Sequence, residues 1–142
     1  RNLQKFDSAL KEIQHQETPP KKDYNIDNKL QKTILNGLED LEKSDLYLDS
    51  NFSIQQLAKI IETNTTYISY TLNNEKNLSF KQYIAQLRIN YLTEKLKTDK
   101  KYHNYTIQYL AEEIGYTNAS AFTRAFKKQV GITPSEYIKS LN

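Results

Sequence analysis

Apolar residues recur along this chain at helical spacing, interrupted by short polar turns. Leu3, Phe6, Leu10 and Ile13 are spaced three, four and three, which predicts a helix over residues 3–16 with a narrow apolar stripe. Two heptads are too short to stand alone in water. That helix needs a surface: a second copy, the main domain or a region upstream. Pro19-Pro20 ends it, and Lys21-Lys22-Asp23 reads as linker. Leu30, Ile34, Leu38 and Leu41 predict a second helix from near Asp27. Gly37 weakens it by up to about 1 kcal/mol if exposed. Leu46, Tyr47 and Leu48 add apolar content before a turn at Asp49-Ser50-Asn51.

From Ser53 onward the elements are short and well signalled. Ser53-Ile54-Gln55-Gln56 is a capping-box pattern that opens a helix with Ile54, Leu57, Ala58 and Ile61 on one face. The turn Glu62-Thr63-Asn64 leads to a helix whose buried pair is Ile68 and Leu72, with Asn73-Asn74 as its stop. Ser79-Phe80-Lys81-Gln82 is a second capping box. It opens a long helix, roughly Phe80 to Lys97, with Phe80, Ile84, Leu87, Tyr91 and Leu96 as its apolar positions, joined by Ile89 and Leu92. The charged stretch Thr98 to Tyr105 reads as a loop. Thr106 caps a helix with Ile107, Leu110, Ala111 and Ile114, and Gly115 supplies the left-handed residue of the next turn. Asn118 caps a helix whose buried pair is Phe122 and Phe126. Thr133-Pro134-Ser135-Glu136 starts the last one, docked by Tyr137, Ile138 and Leu141.

Two of these segments are copies of one unit. Ile54-x-x-Leu57-Ala58-x-x-Ile61 matches Ile107-x-x-Leu110-Ala111-x-x-Ile114 at an offset of 53, and Ile68 and Leu72 match Phe122 and Phe126 at an offset of 54. The second copy therefore has one extra turn residue. A short helix, a tight turn and a second helix is the geometry that lays one helix in a major groove. The expected architecture is all-α, two tandem helix-turn-helix subdomains joined by a long linker helix. Its divisions are an N-terminal helix and linker (1–26), a first subdomain (27–78), the linker helix (79–98) and a second subdomain (99–142).

On this reading the second helix of each pair, about 65–74 and 118–129, offers its outer face to double-stranded DNA. In the second copy that face is Ser120, Thr123, Arg124, Lys127 and Lys128. Arg124 suits bidentate pairing with guanine, and the two lysines suit phosphates. In the first copy it is Thr65, Thr66, Tyr67, Ser69, Tyr70 and Asn73, with no Lys or Arg between Thr63 and Glu75. Readout there must use an amide, hydroxyls and thymine-methyl contact, with Lys59 and Lys76 flanking. A rigid helix of about 27 Å is near the scale of the 34 Å or so that separates successive major grooves on one side of B-DNA.

Charge supports this placement. The net charge is +3, but residues 1–78 carry net −2 and residues 79–142 net +5. The carboxyl half is the better candidate to meet a polyanion. With no Cys there is no disulfide and no thiolate metal site. No apolar run reaches the ~18 residues of a membrane span. The chain opens on Arg1 and has no Met, so it reads as part of a longer protein.

Residues 53–141 resemble the DNA-binding domain of the AraC/XylS family of bacterial transcription regulators. The most specific stretch runs Gly115-Tyr116, then Phe122-Thr123-Arg124-Ala125-Phe126-Lys127-Lys128, then Gly131-Ile132-Thr133-Pro134-Ser135-Glu136-Tyr137. Tyr83, Leu87 and Arg88 sit where the family has its linker-helix aromatic, leucine and arginine. The resemblance implies binding to promoter DNA and contact with RNA polymerase; no cofactor is expected, and the absence of cysteine fits a cytoplasmic location. Asn64-Thr65-Thr66-Tyr67-Ile68-Ser69 is similar to regulators of the Bacteroidetes kind, some of which carry tetratricopeptide repeats and a membrane helix upstream. The family pattern implies that residues 1–20 are then a juxtamembrane or linker helix. The first reading helix departs from the family by lacking a basic residue.

No catalytic site is expected. The only histidines, His15 and His103, lie in separate polar stretches and read as exposed. No HExxH, P-loop or nucleotide-binding glycine loop occurs. Glu112 and Glu113 are adjacent, so on a helix they point apart. Most of the eleven tyrosines, Tyr83, Tyr91, Tyr109 and Tyr137 among them, fall at core or boundary positions. The alternative is a helical protein–protein module whose duplicated units no longer read DNA. The two are separated by binding that weakens steeply with salt.

Overall fold

The computed structural model describes residues 26–142. The helix expected over residues 3–16, with its proposed self-association, and His15 lie outside the described residues. Among those described, seven α-helices occur: α1 (Asn28–Glu42), α2 (Ile54–Ile61), α3 (Thr65–Lys76), α4 (Phe80–Thr98), α5 (Ile107–Glu113), α6 (Ala119–Val130) and α7 (Pro134–Ser140). Two single 3-10 turns, Leu46–Leu48 and Lys100–Asn104, join them, and no strand is present among the described residues. The architecture is all-α, with two helix-turn-helix units joined by α4.

The helix starts follow the local chemistry. Asp27, Asn64, Thr106 and Asn118 each cap a helix by accepting a backbone N–H three residues on. Ser53, Ser79 and Thr133 form reciprocal capping boxes with Gln56, Gln82 and Glu136. Several helices have only seven or eight residues. At that length they persist only by burying an apolar face.

Two cores result. The first gathers Ile34, Leu38 and Leu41 of α1, Leu57 and Ile61 of α2, Ile68 and Leu72 of α3, and Tyr83 and Ile84 of α4. The second gathers Ile89, Leu92 and Leu96 of α4 with Leu110, Ile114, Phe122 and Phe126. Helix α4 is therefore not a single stripe. At about 100° per residue, the positions serving the first core (Phe80, Tyr83, Ile84, Leu87, Tyr91) centre roughly 160° from Ile89, Leu92 and Leu96. Phe80, Leu87 and Tyr91 are only half-buried, whereas Ile89 and Leu92 are wholly enclosed. Tyr91 and Leu48 touch both cores.

Several local expectations are corrected. Helix α3 does not stop at Asn73-Asn74. It continues to Lys76 and ends on Asn77, which takes the left-handed conformation at φ 58° and returns its N–H to Asn73. The stretch Thr98 to Tyr105 holds a 3-10 turn, seeded by the Asp99 carboxylate accepting from the Lys101 N–H. His103 is half-buried there, with Nε2 2.8 Å from the Leu96 carbonyl near the end of α4. Tyr109 is 44% exposed and stacks edge-on against Tyr105, and Leu141 is 36% exposed. Gly37 is a packing site rather than a weak point. A Cβ there would lie 2.6 Å from Cγ1 of Ile61, so α1 and α2 approach as closely as they do only because residue 37 lacks one.

Gly37→Ala should therefore destabilise the chain by about 1–3 kcal/mol through overpacking, although alanine is the better helix former by about 1 kcal/mol. Urea unfolding would register this as a lower midpoint at unchanged slope. Thr71 is 1% exposed, and its hydroxyl has no hydrogen-bond partner. Thr71→Val keeps the shape and removes the orphaned group, so the same measurement should show a gain of about 1 kcal/mol.

Candidate nucleic-acid interface

The two helix-turn-helix units are built by the same hydrogen bonds. In the first, the Thr63 N–H donates to Ala58 O at 2.9 Å and Glu62 N–H to Lys59 O at 3.2 Å. In the second, Tyr116 N–H donates to Ala111 O at 2.9 Å and Gly115 N–H to Glu112 O at 3.2 Å. All four positions are offset by 53. The caps Asn64 and Asn118 are offset by 54, so the extra residue of the second turn is Thr117. The left-handed residue is Gly115 in the second copy, at φ 97°, and Glu62 in the first, at φ 67°. The first copy thus holds a side chain where it costs about 1–2 kcal/mol.

Burial of Ile68 and Leu72 in α3, and of Phe122 and Phe126 in α6, fixes which face of each helix points outward. On α6, Ser120, Arg124, Lys127 and Lys128 are exposed and Thr123 half-buried, and the helix contains no carboxylate. On α3, Thr66, Ser69 and Asn73 are exposed, while Thr65, Tyr67 and Tyr70 are half-buried. Tyr67 packs against the first core. Tyr70 occupies the place of Arg124, at the offset of 54. Asn74 occupies that of Lys128 and is exposed. It is a candidate for the outward face that the sequence reading left out, because the Asn pair looked like a stop; the offset of 54 places it opposite Lys128.

The units are tied to each other around Arg88, which lies on α4 in the seam between its two apolar faces. Its Nε donates to Tyr47 O at 2.6 Å and its Nη2 to Asp49 O at 3.0 Å, both in the loop that follows α1. Its guanidinium carbon sits 5.3 Å from the Tyr116 ring centre, in the turn of the second unit. Burial lowers the Arg88 pKa and raises that of the Tyr116 hydroxyl, each shift partly offset by the other group. Gly115 adjoins this junction: a Cβ there would come within 2.8 Å of the Arg88 guanidinium and of Leu48 O. On the far side, the Gln129 side chain donates to Asn90 Oδ1 at 2.7 Å and ties α6 to α4. Tyr83 anchors α4 to α1, its hydroxyl donating to a Glu42 carboxylate oxygen at 2.6 Å; burial and that carboxylate raise its pKa.

Two short helix pairs, each presenting one outward helix and held in fixed relation by a shared helix, define a tandem helix-turn-helix DNA-binding domain. Residues 57–140 match the family model described as a helix-turn-helix domain. The chain is 28% identical over 99 residues to the raffinose operon transcriptional regulatory protein RafR of Pediococcus pentosaceus, covering 67% of this chain and 34% of that one. It is 32% identical over 92 residues to the melibiose operon regulatory protein of Escherichia coli K12, covering 64% and 29%. The chain thus spans about a third of the length of these relatives. The C-terminal domain of AraT, a response regulator of Geobacillus stearothermophilus, superposes with a TM-score of 0.63 at 22% identity, covering 76% of this chain and 84% of that one. The DNA-binding domain of AdpA, solved with a target DNA, superposes at 0.58 and 18% identity, covering 78% and 90%. The chain belongs to the AraC/XylS family of DNA-binding transcription regulators. No helix among the described residues is long and apolar enough to cross a membrane.

Arg88→Ala removes two charged hydrogen bonds, a part-buried one to Tyr47 O and an exposed one to Asp49 O, and should cost about 1.5–3 kcal/mol, mostly through the part-buried bond, since water replaces the exposed one. It should also free the units to reorient. Residual dipolar couplings from residues 28–76 and 107–140, which fit one alignment tensor in the parent, should then need two. A single tensor with unchanged stability would mean that Arg88 does not lock the pair.

Proposed function

We propose that this chain reads double-stranded promoter DNA in a sequence-specific way, with α3 and α6 in successive major grooves. The observation that carries this is the duplicated unit itself: two outward helices, built by matching hydrogen bonds and fixed to one another through Arg88 and α4. In this reading residues 27–78 are the first reading subdomain, 79–98 the spacer and 99–142 the second. Arg124 reads a guanine, Lys127 and Lys128 hold phosphates, and Ser120 and Thr123 make the remaining polar contacts. Thr65, Thr66, Tyr67, Ser69, Tyr70 and Asn73 form the neutral first head, to which we add Asn74. The AdpA domain bound to its target DNA lends support through the shared fold.

RNA polymerase as second partner, self-association through residues 3–16 and a cytoplasmic position, with the longer protein anchored in a membrane, complete the proposal. They rest on family resemblance and on the apolar stripe of residues 3–13. The reading has no catalytic step. The rival, a protein–protein module, draws on the first head, whose outward positions carry no Lys or Arg before Lys76.

Selection of randomised duplexes by the purified chain at two salt concentrations separates them. The expected product is a motif of two half-sites about one helical turn apart. Affinity should fall steeply with salt, by roughly 10³–10⁵ between 50 and 200 mM if 6–10 phosphates are neutralised. No enrichment and little salt dependence would leave the interaction module. On an enriched site, Arg124→Ala should cost about 1–3 kcal/mol and relax preference at one base pair. Unchanged tight binding by that variant would remove Arg124 from the readout.

A further inference from the structure

Between α6 and the amino-terminal half of α4 lies a cleft of about 880 Å³, which also takes in Leu78 and Ser79 just after α3. Its floor is the amino-terminal half of α4, on the face that the carboxyl-terminal half of the same helix buries in the second core. There the second core does not reach, and the face stays open at Lys81, Ala85 and Arg88. One wall is α6, which contributes Ala121, Arg124 and Lys128. The cleft begins where the first head ends: α3 finishes at Lys76, and α4 starts at Phe80. It meets the second head through Arg124, which belongs to both surfaces.

The lining is electrostatically one-sided. Four cations, Lys81, Arg88, Arg124 and Lys128, face it, and no Asp or Glu does among the described residues. Arg88 is engaged with two carbonyls of the loop after α1. Lys81 on the floor and Lys128 on the wall are exposed. A concave, carboxylate-free surface of this kind focuses positive potential and suits an extended polyanion.

We propose that this cleft holds the DNA sugar–phosphate backbone that crosses from one half-site to the other, with Lys81 and Lys128 binding its phosphates. The inference rests on the two-headed reading above and gives that reading a third DNA-facing region. When two heads occupy major-groove half-sites one turn apart, the intervening minor groove faces the protein between them. Its backbones carry about one charge per 1.7 Å of helix axis. Such contacts hold register and orientation and carry no sequence information. They favour duplexes that are continuous between the half-sites over two separate fragments.

The test uses the enriched duplex with uncharged methylphosphonates at phosphates midway between the half-sites. The whole chain should bind it more weakly than the parent duplex, and the slope of log affinity against log salt should fall by about 0.9 for each phosphate no longer neutralised. That corresponds to a salt-induced loss, from 50 to 200 mM, smaller by about 3.5-fold per phosphate. Lys81→Gln and Lys128→Gln should lower the slope on the parent duplex by the same step. The double variant should no longer distinguish the two duplexes. Lys32→Gln, an equal charge change on α1, should keep the full distinction. A site that is enriched and bound tightly, yet indifferent to the midway phosphates, overturns this proposal and leaves the two-headed reading intact. So does a double variant that retains full sensitivity. A chain that enriches no site overturns both. Equal inhibition of both duplexes by millimolar inorganic phosphate, with no effect of the methylphosphonates, would assign the cleft to a small anion instead.

Discussion

Helix α4 must bury two opposite faces in two different cores, and everything else in the molecule is arranged around that demand. A helix of 19 residues with a single apolar stripe would carry one unit and leave the other on a tether. Here Tyr83 and Ile84 are enclosed by the first unit, and Ile89, Leu92 and Leu96 by the second. Each such side chain is worth about 1.5–3 kcal/mol of burial. Neither unit can release α4 without exposing its own core. The changeover between faces occurs within about two turns, and Arg88 stands in it. Its aliphatic stem and charged head fill the seam and bond two carbonyls of the loop after α1, the part-buried one of Tyr47 and the exposed one of Asp49.

That arrangement gives the two heads different tolerances. The second unit has glycine at its left-handed turn residue, a cation-bearing outer helix and a tie to α4 through Gln129. The first has a strained Glu62, a neutral outer helix and a buried, unsatisfied threonine hydroxyl. The first unit's local sequence is thus further from the optimum for its own fold. It is held in shape by α1, whose close approach to α2 at Gly37 has no counterpart in the second unit. A preceding helix on one copy and a following helix, α7, on the other brace the pair from its two ends.

Much of this was legible in the sequence because the signals are local. Capping residues at Ser53, Ser79, Thr106, Asn118 and Thr133 place helix starts within a residue, since each needs only a partner three positions on. The buried pairs Ile68/Leu72 and Phe122/Phe126 fix the outward positions of α3 and α6, so the candidate reading faces followed from spacing. What was not legible depends on contacts distant in the chain. Asn is ambiguous between helix interior and stop, and only the geometry at Asn77 decides where α3 ends. The two faces of α4 overlap in a linear pattern, so half-buried Leu87 and Tyr91 read as main positions and wholly enclosed Ile89 and Leu92 as secondary ones, the reverse of their burial. His103 and Gly37 look expendable until Leu96 O and Ile61 are brought beside them. Resemblance marked Arg88 as a family position, but its partners, two carbonyls some 40 residues earlier, have no trace in its neighbours.

The nature of those partners has a further consequence. A bond to a main-chain carbonyl asks nothing of the side chain that carries it, so residue 49 is free to drift while the grip persists, and residue 47 answers to the first core that buries its ring and not to Arg88. Among relatives that keep this junction, co-substitution would fall instead on position 88 with the ring at 116, and position 115 would stay glycine. A statistical map of residue pairs would therefore underrate the link that sets one head against the other, and a designer grafting new heads onto this spacer would have to preserve a backbone path rather than a pair of amino acids.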